Sequence, residues 1–256
     1  MLRSLSSKKE EYRAPSPWER FLPPEARRPR KLATHQGLNS AVWNLRLPDA
    51  QLADKAVLWG SAGGPEVPPG TYQVRMTLGE WSATRTFAVH ADPRSAVSVE
   101  DRRAGFTLAK AIWQRLADSH AALRKLRSVR AQIKDLAERH RAAGVGEGLG
   151  DAAATLVEKL TAVEQKLNQT KSQAGQDVLN FPPRIDNQLM YLLGVVRGAD
   201  GRPTAGSQER FQDLDGELKQ IEQELAQVLD ADLAAFQALV KEKGTPAVLV
   251  PQAEEG

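Results

Sequence analysis

The residues best suited to bind a ligand or to do chemistry lie in one polar interruption of a largely helical chain, SQAGQDVLNFPPRIDNQL, residues 172–189. Its carboxylates and amides can bind a ligand, or they can hold the exposed backbone ends where one helix passes to the next. We favour the second interpretation, a structural clasp, and keep a ligand site as the alternative. The candidate residues are Gln173, Asp177, Asn180, Asp186 and Asn187.

Local roles within the interruption follow from residue type. Gly175 suits the turn after a second helix, where a left-handed conformation is often needed. Pro182 and Pro183 can occupy the first positions of a third helix, where a missing N–H group has little effect. Asn180 is then the predicted N-cap of that third helix.

No other group of residues specifies a catalytic centre. The histidines are scattered and form no close metal-binding spacing such as HExxH; they are His35, His90, His120 and His140. The chain contains no cysteine and no G-x-S-x-G motif, which excludes thiol catalysis and gives no support to a hydrolase elbow. Carboxylates are abundant, so choosing a glycosidase-like pair among them would be arbitrary. We predict no catalytic residue, no metal and no cofactor, and we leave open whether the chain is an enzyme.

Composition and length indicate a folded chain of one large or two ordinary domains. The sequence has 256 residues, 41% of them hydrophobic and 26% charged, with a net charge of +3. Such a balanced charge does not by itself indicate a nucleic-acid binder. The N-terminus has no apolar signal region, and no stretch approaches the length of a membrane span. We therefore expect neither an export signal nor a membrane span in the chain as written.

Strand patterns dominate the first third of the chain. Residues 71–78, TYQVRMTL, alternate between apolar and polar side chains, and EWSATRTFAVH follows directly, so the two segments predict a hairpin. Residues 38–47, LNSAVWNLRL, predict a further strand. Glycines and prolines punctuate residues 60–70, as short strands joined by turns require. We predict a small all-β domain at 37–94, preceded at 1–36 by a first strand and a charged, Pro/Arg-rich insertion.

From Ser98 onward the apolar residues follow helical spacing. Ser98 is the predicted N-cap of a long first helix with acidic residues in its first turn. Further helices follow, and the fourth has the most regular pattern, with apolar residues alternating at spacings of three and four. Asp230 or Asp232 is the predicted cap of a last short helix. The pattern predicts an antiparallel bundle of four to five helices at 98–244 and a flexible tail at 245–256.

Charge is unevenly distributed between the helices. The first helix is basic and the fourth is acidic. One interpretation makes the two helices neighbours whose charged flanks attract each other. The other makes the basic helix, together with the basic N-terminal segment, a surface for nucleic acid or another polyanion. We favour the first interpretation, because an acidic partner within the same chain is the simpler explanation.

Two stretches together resemble one known group of proteins. Residues 37–43 and 68–72 carry G-x-N-x-x-x-W and P-x-G-x-Y motifs, which resemble an Ig-like module of the flagellar hook-capping type. Residues 169–204, from QTKSQAGQD to GADGRPT, resemble the C-terminal helical bundle of bacterial sortilin-like, BNR-repeat or glycosyl-hydrolase-type proteins. In those proteins a β-propeller comes first. The resemblance implies a multidomain, all-β plus all-α chain: a small Ig-like β-sandwich followed by an antiparallel helical bundle.

The resemblance also implies a function. We expect a non-catalytic accessory or interaction module whose partner is a β-propeller domain or another protein. A glycan-acting hydrolase with its active site in a missing or separate propeller is the alternative, and polyanion binding is the second alternative. A glycan is a further candidate partner, and nucleic acid is disfavoured. We expect export to the periplasm or the extracellular space if the chain is part of a full family protein, and a cytoplasmic location if it is made as written.

Overall fold

The computed structural model describes residues 1–9, 12, 14, 31–142, 144 and 147–244. The chain forms two compact units, each assembled from separate stretches. The hairpin unit comprises Met1–Gln51, Trp59–Ala117 and Leu189–Gln212. The helical unit comprises Leu52–Leu58, Asp118–Gln188 and Asp213–Gly256. Most of the predicted charged insertion and all of the predicted tail at 245–256 lie outside the described residues.

Two strands and five α-helices follow one another along the described part of the chain. They are β1 Gly70–Leu78, β2 Trp81–Val89, α1 Val99–Ala142, α2 Leu149–Leu167, α3 Ile185–Gly198, α4 Ala205–Gln227 and α5 Leu233–Glu242. A 3₁₀ helix, Gly175–Leu179, lies between α2 and α3, and a π-helical turn, Val228–Asp232, joins α4 to α5. Helices α1, α3 and α4 each contribute residues to both units.

The predicted hairpin is confirmed. Strands β1 and β2 pair antiparallel, with Gly70 opposite Val89 and Leu78 opposite Trp81. The two-residue turn between them contains Gly79, whose φ of 59° lies in the left-handed region that glycine adopts readily. Because side chains alternate along a strand, the register places the apolar residues of β1 on the same face as Trp81, Ala83 and Phe87 of β2. Arg85, which pairs with Val74, lies on that face as well.

The predicted Ig-like β-sandwich is wrong. Within the described residues the hairpin is the only sheet, and it is accompanied by a single isolated bridge between Arg46 and Glu66. The predicted first strand, LRSLSS, has no strand conformation. The predicted strand at 38–47 supplies only the bridge residue, and its Leu38 and Val42 side chains are 92% and 78% exposed.

Backbone chemistry explains why a second sheet does not form. Leu45 has a positive φ of 58°, which ends the extended conformation that a strand requires. Prolines then follow at intervals, and each removes an N–H donor from any ladder; they are Pro48, Pro65, Pro68 and Pro69. Alternation in β1 correctly predicted one apolar face, but this pattern does not show whether a second sheet covers that face.

An aromatic cluster anchors the base of the hairpin and accounts for the two motifs of this region. Trp43 meets Tyr72 and Phe87 edge to face, with ring centroids 6.1 and 6.3 Å away. The Tyr72 hydroxyl donates to the Pro68 carbonyl at 2.5 Å, and the Trp43 indole N–H donates to the Arg46 carbonyl at 2.9 Å. The conspicuous aromatic residues of both motifs therefore have a structural role here.

The predicted helices are present, and their predicted apolar faces are the buried ones. The apolar residues that helical spacing predicts for the second, third and fourth helices are buried, apart from Phe211. They are Leu156, Leu160, Val163 and Leu167, then Ile185, Leu189, Leu192 and Val196, and then Leu214, Leu218, Ile221, Leu225 and Val228. The Ser98 Oγ accepts a hydrogen bond of 3.0 Å from the Asp101 N–H, so Ser98 caps α1 as predicted. Helical periodicity thus identified which residues form the core, since each buried stripe follows the 3.6-residue repeat.

Within the helical unit, ion pairs show that α2 runs antiparallel to its neighbours. Lys159 binds Asp232 at 2.6 Å and Lys166 binds Glu224 at 2.5 Å, so residue numbers rise along α2 as they fall along α4 and the π-helical turn. Glu164 of α2 binds arginines of α1. The basic helix α1 therefore pairs with an acidic residue of α2, and the acidic helix α4 pairs with a basic residue of α2.

The predicted cap of a separate last helix is wrong. The chain remains helical from α4 through the π-helical turn into α5. Asp232 has helical backbone angles and makes no capping hydrogen bond with its side chain. Its carboxylate pairs instead with Lys159. The two aspartates therefore mark an insertion in a continuous helix, as π-helical turns do.

Candidate functional site

The five candidate residues of the polar interruption lie in two separate places of the helical unit. Gln173 and Asp177 belong to an exposed turn that leads into the 3₁₀ helix. Asp186 and Asn187 lie in the first turn of α3 and are buried. Asn180 ends the 3₁₀ helix, and its side chain is exposed.

Asp177 holds the exposed turn together. Its Oδ2 accepts the backbone N–H of Gln173 at 2.7 Å and that of Ala174 at 2.8 Å. These hydrogen bonds lower the pKa of the Asp177 carboxyl below its ordinary value, because they stabilise the charged form. The prediction that Asn180 caps the third helix is wrong, since α3 begins only at Ile185. The prolines at 182 and 183 likewise precede the helix.

Asp186 is the centre of a buried polar network. Only 1% of this residue is exposed. Its Oδ2 accepts a hydrogen bond of 2.7 Å from the Asn168 amide, and its Oδ1 accepts the Asn187 backbone N–H at 2.7 Å. Gln169 next to Asn168 donates to the Pro182 carbonyl at 2.9 Å. The C-terminal end of α2 is thereby tied to the start of α3 across the polar interruption.

His120 of α1 completes this network. The imidazole is fully buried, and its Nδ1 accepts the backbone N–H of Ala53 at 3.1 Å. An accepting Nδ1 carries no proton, so the proton of the neutral ring is on Nε2. That Nε2 lies 4.0 Å from the Asp186 Oδ2. A loop, α1 and α3 thus meet at one histidine–carboxyl pair.

Burial decides the protonation of both members of this pair. Burial, with the positive charges of Arg124 and Arg127, lowers the pKa of His120 to about 3. Burial raises the pKa of Asp186 to about 7, in opposition to the hydrogen bonds from Asn168 and Asn187. Both shifts favour the uncharged form, because an uncompensated charge is poorly solvated in the interior.

A second buried carboxylate lies close to this network. Glu164 of α2 is 3% exposed, and its Oε1 accepts from the Arg127 Nε at 2.7 Å. Its other oxygen accepts from Arg130. Arg127 also donates to the Asp54 carbonyl at 2.5 Å and, at 3.4 Å, to the Asn168 side chain. Arg127 and Glu164 therefore link α1 and α2 to the loop at 52–58.

An open pocket of about 780 Å³ lies on the same side chains. It is lined by residues 53–55 of the loop at 52–58, the middle of α1, the C-terminal half of α2, residues 168–170 and Ser172. Five of the lining side chains are basic and two are acidic, a net charge of +3. The basic residues are Lys55, Arg124, Arg127, Arg130 and Lys134, and the acidic residues are Asp54 and Glu164.

The hairpin unit carries a surface of the opposite character. Four side chains on one face of the hairpin are each more than half exposed: Val74 at 54%, Met76 at 60%, Leu78 at 67% and Trp81 at 55%. We call these four residues the apolar hairpin face. The exposed Arg85 lies on the same face, opposite Val74, and the other face consists of Gln, Arg, Thr and Ser side chains with Ala88. The hairpin is therefore amphipathic, although its apolar side is left in solvent.

Among the residues that the structure describes, no three histidines or carboxylates converge to form a metal site. His120 and Asp186 are closed to solvent, so a substrate cannot reach them.

None of the helices in the described ranges combines the length and apolar composition that a membrane crossing requires.

The sequence analysis did not identify His120 and Glu164 as members of the network, although the position of each in its helix is informative. His120 falls between Leu116 and Leu123, at spacings of four and three, and so lies on the buried stripe of α1. Glu164 lies four residues after Leu160 and occupies a core position of α2 in the same way. A polar residue at an apolar position of a regular helix is a signal for a buried network.

Replacement of Asp177 by alanine is expected to lower the melting temperature by about 2–4 °C at neutral pH, because two backbone N–H groups lose their acceptor. Asn180→Ala is the matched control and should leave the melting temperature unchanged. Since the folded pKa of Asp177 is lowered, its contribution is present above the unfolded pKa of about 3.9 and is lost as pH falls through the folded value. Thermal unfolding at neutral and acidic pH checks both statements, and equal stability of Asp177→Ala and the parent chain at neutral pH would contradict them.

Asp186→Asn and His120→Gln are expected to change the pH dependence of stability in opposite directions. Asp186 has a raised folded pKa, so its contribution falls as pH rises from about 4 to about 7. His120 has a lowered folded pKa, so its contribution rises with pH from about 3 to about 6.5. Relative to the parent chain, the unfolding free energy of Asp186→Asn should therefore rise with pH across this range, and that of His120→Gln should fall.

The slope of each difference can reach about 1.4 kcal/mol per pH unit, the value for one proton. Denaturant unfolding of the parent chain and of both variants, at several pH values, measures the two differences. Parallel curves for all three proteins would show that neither group is held in its uncharged form.

Comparisons of the chain with known protein families, with curated proteins and with solved structures each found no match. The resemblance of residues 169–204 to sortilin-like or BNR-repeat proteins therefore remains a hypothesis. Function must be inferred from the two surfaces described above, the apolar hairpin face and the basic pocket of the helical unit.

Proposed function

We propose that this chain is a non-catalytic accessory module that binds another protein domain through the apolar hairpin face. The observation that carries the proposal is the exposure of Val74, Met76, Leu78 and Trp81, each above one half, on one side of one hairpin. Contiguous exposed apolar side chains on a folded protein typically mark an interaction site. Their burial against a partner would contribute about 1.5–3 kcal/mol for each fully buried side chain.

The hairpin resembles half of a sheet packing, in which an apolar face is normally covered by a second layer of structure. The apolar alternation is regular in β1 and is interrupted in β2 by Arg85, and the aromatic cluster around Trp43 covers only the base of the hairpin. In the described part of the chain the sheet has two strands, so each strand also has an outer edge without a strand partner. Two-stranded hairpins are marginally stable without further packing. A partner that covers the apolar face supplies this packing.

The partner best matched to this surface is a β-rich domain that presents an apolar sheet face of its own. Sheets pack face to face through interdigitating apolar side chains, and Trp81 and Met76 are suited to such packing. The resemblance to the C-terminal part of sortilin-like or BNR-repeat proteins supports the same choice, since those proteins contain a β-propeller. We therefore propose a β-propeller domain as the partner.

Burial of the ionisable groups supports a non-catalytic role. The two groups with the largest pKa shifts, His120 and Asp186, are closed to solvent and bond to neighbouring backbone and amide groups. Their positions suit the stability of the helical unit. If the assembled protein hydrolyses glycans, the proposal places that chemistry in the propeller.

The interaction can be tested by site-specific photo-crosslinking in cells that produce the chain naturally. The photo-reactive residue p-benzoylphenylalanine takes the place of Met76 in the centre of the apolar hairpin face. The matched control carries it at Thr77, the next residue, which faces the polar side. After irradiation, mass spectrometry identifies the proteins in each adduct. We expect the position 76 variant to crosslink to a β-propeller and the position 77 variant to give no such adduct.

Three results would contradict the proposal. Identical adducts from positions 76 and 77 would show that the apolar face has no special role. Adducts consisting only of a second copy of the chain would show self-association. Turnover of aryl glycosides by the purified chain would show that the module is itself catalytic.

A further inference from the structure

The basic pocket of the helical unit contains more positive charge than its own carboxylates neutralise. Its net charge of +3 comes from side chains that converge from a loop and two helices. A concave surface lined by one sign of charge concentrates ligands of the opposite sign. The pocket is therefore suited to an anion.

Each guanidinium nitrogen of Arg127 donates a hydrogen bond within the protein. Its guanidinium donates to Glu164, to the Asp54 carbonyl and to the Asn168 side chain. Arg130 shares Glu164 and also donates to the Thr161 hydroxyl at 3.2 Å. These two arginines form the wall of the pocket, where one carboxylate balances one of the two charges. The charge that faces a ligand comes mainly from the side chains around this wall.

Lys55 and Lys134 supply exposed positive charge to the pocket. Both side chains are exposed and both line the pocket, from the loop and from α1 respectively. A lysine ammonium on a flexible stem can reach an anion from either side of an opening and offers three donors. Neither residue has a role in the buried network around Asp186.

The backbone of Lys55 is held in an unusual conformation. Its φ is 60°, and it is the third residue of a turn closed by the Ala56 N–H and the Ala53 carbonyl at 3.3 Å. Glycine or asparagine usually occupies such a position. Non-glycine residues in the left-handed region are energetically costly and concentrate at ligand-binding sites. A lysine at this position is consistent with a need for its ammonium group at the pocket.

Ser172 supplies an independent indication that the pocket binds a ligand. The residue is 7% exposed and lines the pocket, and its Oγ has no hydrogen-bond partner among the described residues. An unsatisfied buried hydroxyl is destabilising, because folding removes its hydrogen bonds to water and provides no other partner. A bound acceptor oxygen within the pocket would satisfy it.

We propose that this pocket binds a tetrahedral oxyanion, the phosphate or sulfate group of an organic monoester. A phosphate monoester carries up to two negative charges and a sulfate monoester carries one, both opposite in sign to the lining. The oxygens of either group can accept from the Ser172 hydroxyl and from lysine and arginine N–H groups together. The volume of about 780 Å³ exceeds the size of the oxyanion and leaves room for the organic group that carries it.

Calorimetric titration of the full chain tests this site. Inorganic phosphate and inorganic sulfate are the first probes, each in chloride buffer at constant ionic strength. Glucose 6-phosphate and glucose 6-sulfate then distinguish a phosphorylated ligand from a sulfated sugar. We expect saturable binding with a Kd below about 10 mM for at least one inorganic oxyanion, tighter binding of the corresponding ester, and weaker binding as chloride increases.

Substitutions locate the binding within the pocket. Lys134→Gln and Ser172→Ala should each weaken binding about tenfold, the effect of losing one hydrogen bond to a charged group. Lys55→Gly should also weaken it about tenfold. Glycine accepts the left-handed backbone, so this variant should remain folded, as its melting curve will show. Lys125→Gln is the matched control, because Lys125 is an exposed lysine of α1 that does not line the pocket, and it should leave Kd unchanged.

The outcomes separate clearly. Binding of either oxyanion that is weakened about tenfold in each of the three pocket variants and is unchanged in Lys125→Gln supports the site, and the esters then identify the source of the oxyanion. Absence of saturable binding for both inorganic anions would overturn the proposal. An equal loss of affinity in Lys125→Gln would also overturn it, since the binding would then reflect only the overall charge of α1.

Discussion

The helical unit depends on one buried carboxylate, Glu164, and on the two arginines that neutralise it. A charge with only 3% of its residue exposed must be paired, and Arg127 and Arg130 of α1 provide the pairing. Arg127 then reaches the Asp54 carbonyl and Asn168, so one side chain connects α1, α2, a distant loop and the residue that follows α2. Asn168 continues the connection to Asp186 and thus to α3. The geometry of the basic pocket follows from the same contacts.

The two surfaces of the molecule differ in what they leave unsatisfied. The hairpin has apolar side chains in solvent, a condition that a protein partner relieves. The pocket has excess positive charge, a lysine in a left-handed conformation and the unsatisfied hydroxyl of Ser172, conditions that an anion relieves. The two proposals rest on different residues and different physical effects. An accessory module that holds a partner domain and recognises a small anionic group accounts for both surfaces without a catalytic centre.

The sequence correctly predicted those features of the fold that depend on residues close together in the chain. The buried stripes of α2, α3 and α4, the Ser98 cap and the β1–β2 hairpin were all predictable, because each depends on side-chain period or on a nearby backbone group. The sandwich prediction failed because alternation does not reveal whether a second layer covers the apolar face. The candidate site was only partly predictable: Asp186 and Asn187 were identified, but His120 and Glu164 were not. Their partners lie 67 and 37 residues away, and no local pattern specifies such contacts.

The protonation state of His120 tests most directly the claim that a buried, uncharged network closes the helical unit. Imidazole nitrogen NMR of the full chain, followed from neutral pH down to about pH 5, reports both the charge and the tautomer of this ring. The structure predicts a neutral ring throughout, with its proton on Nε2 and with Nδ1 accepting the Ala53 N–H. A ring that titrates near its ordinary pKa of about 6.5, or that carries its proton on Nδ1, would contradict the account.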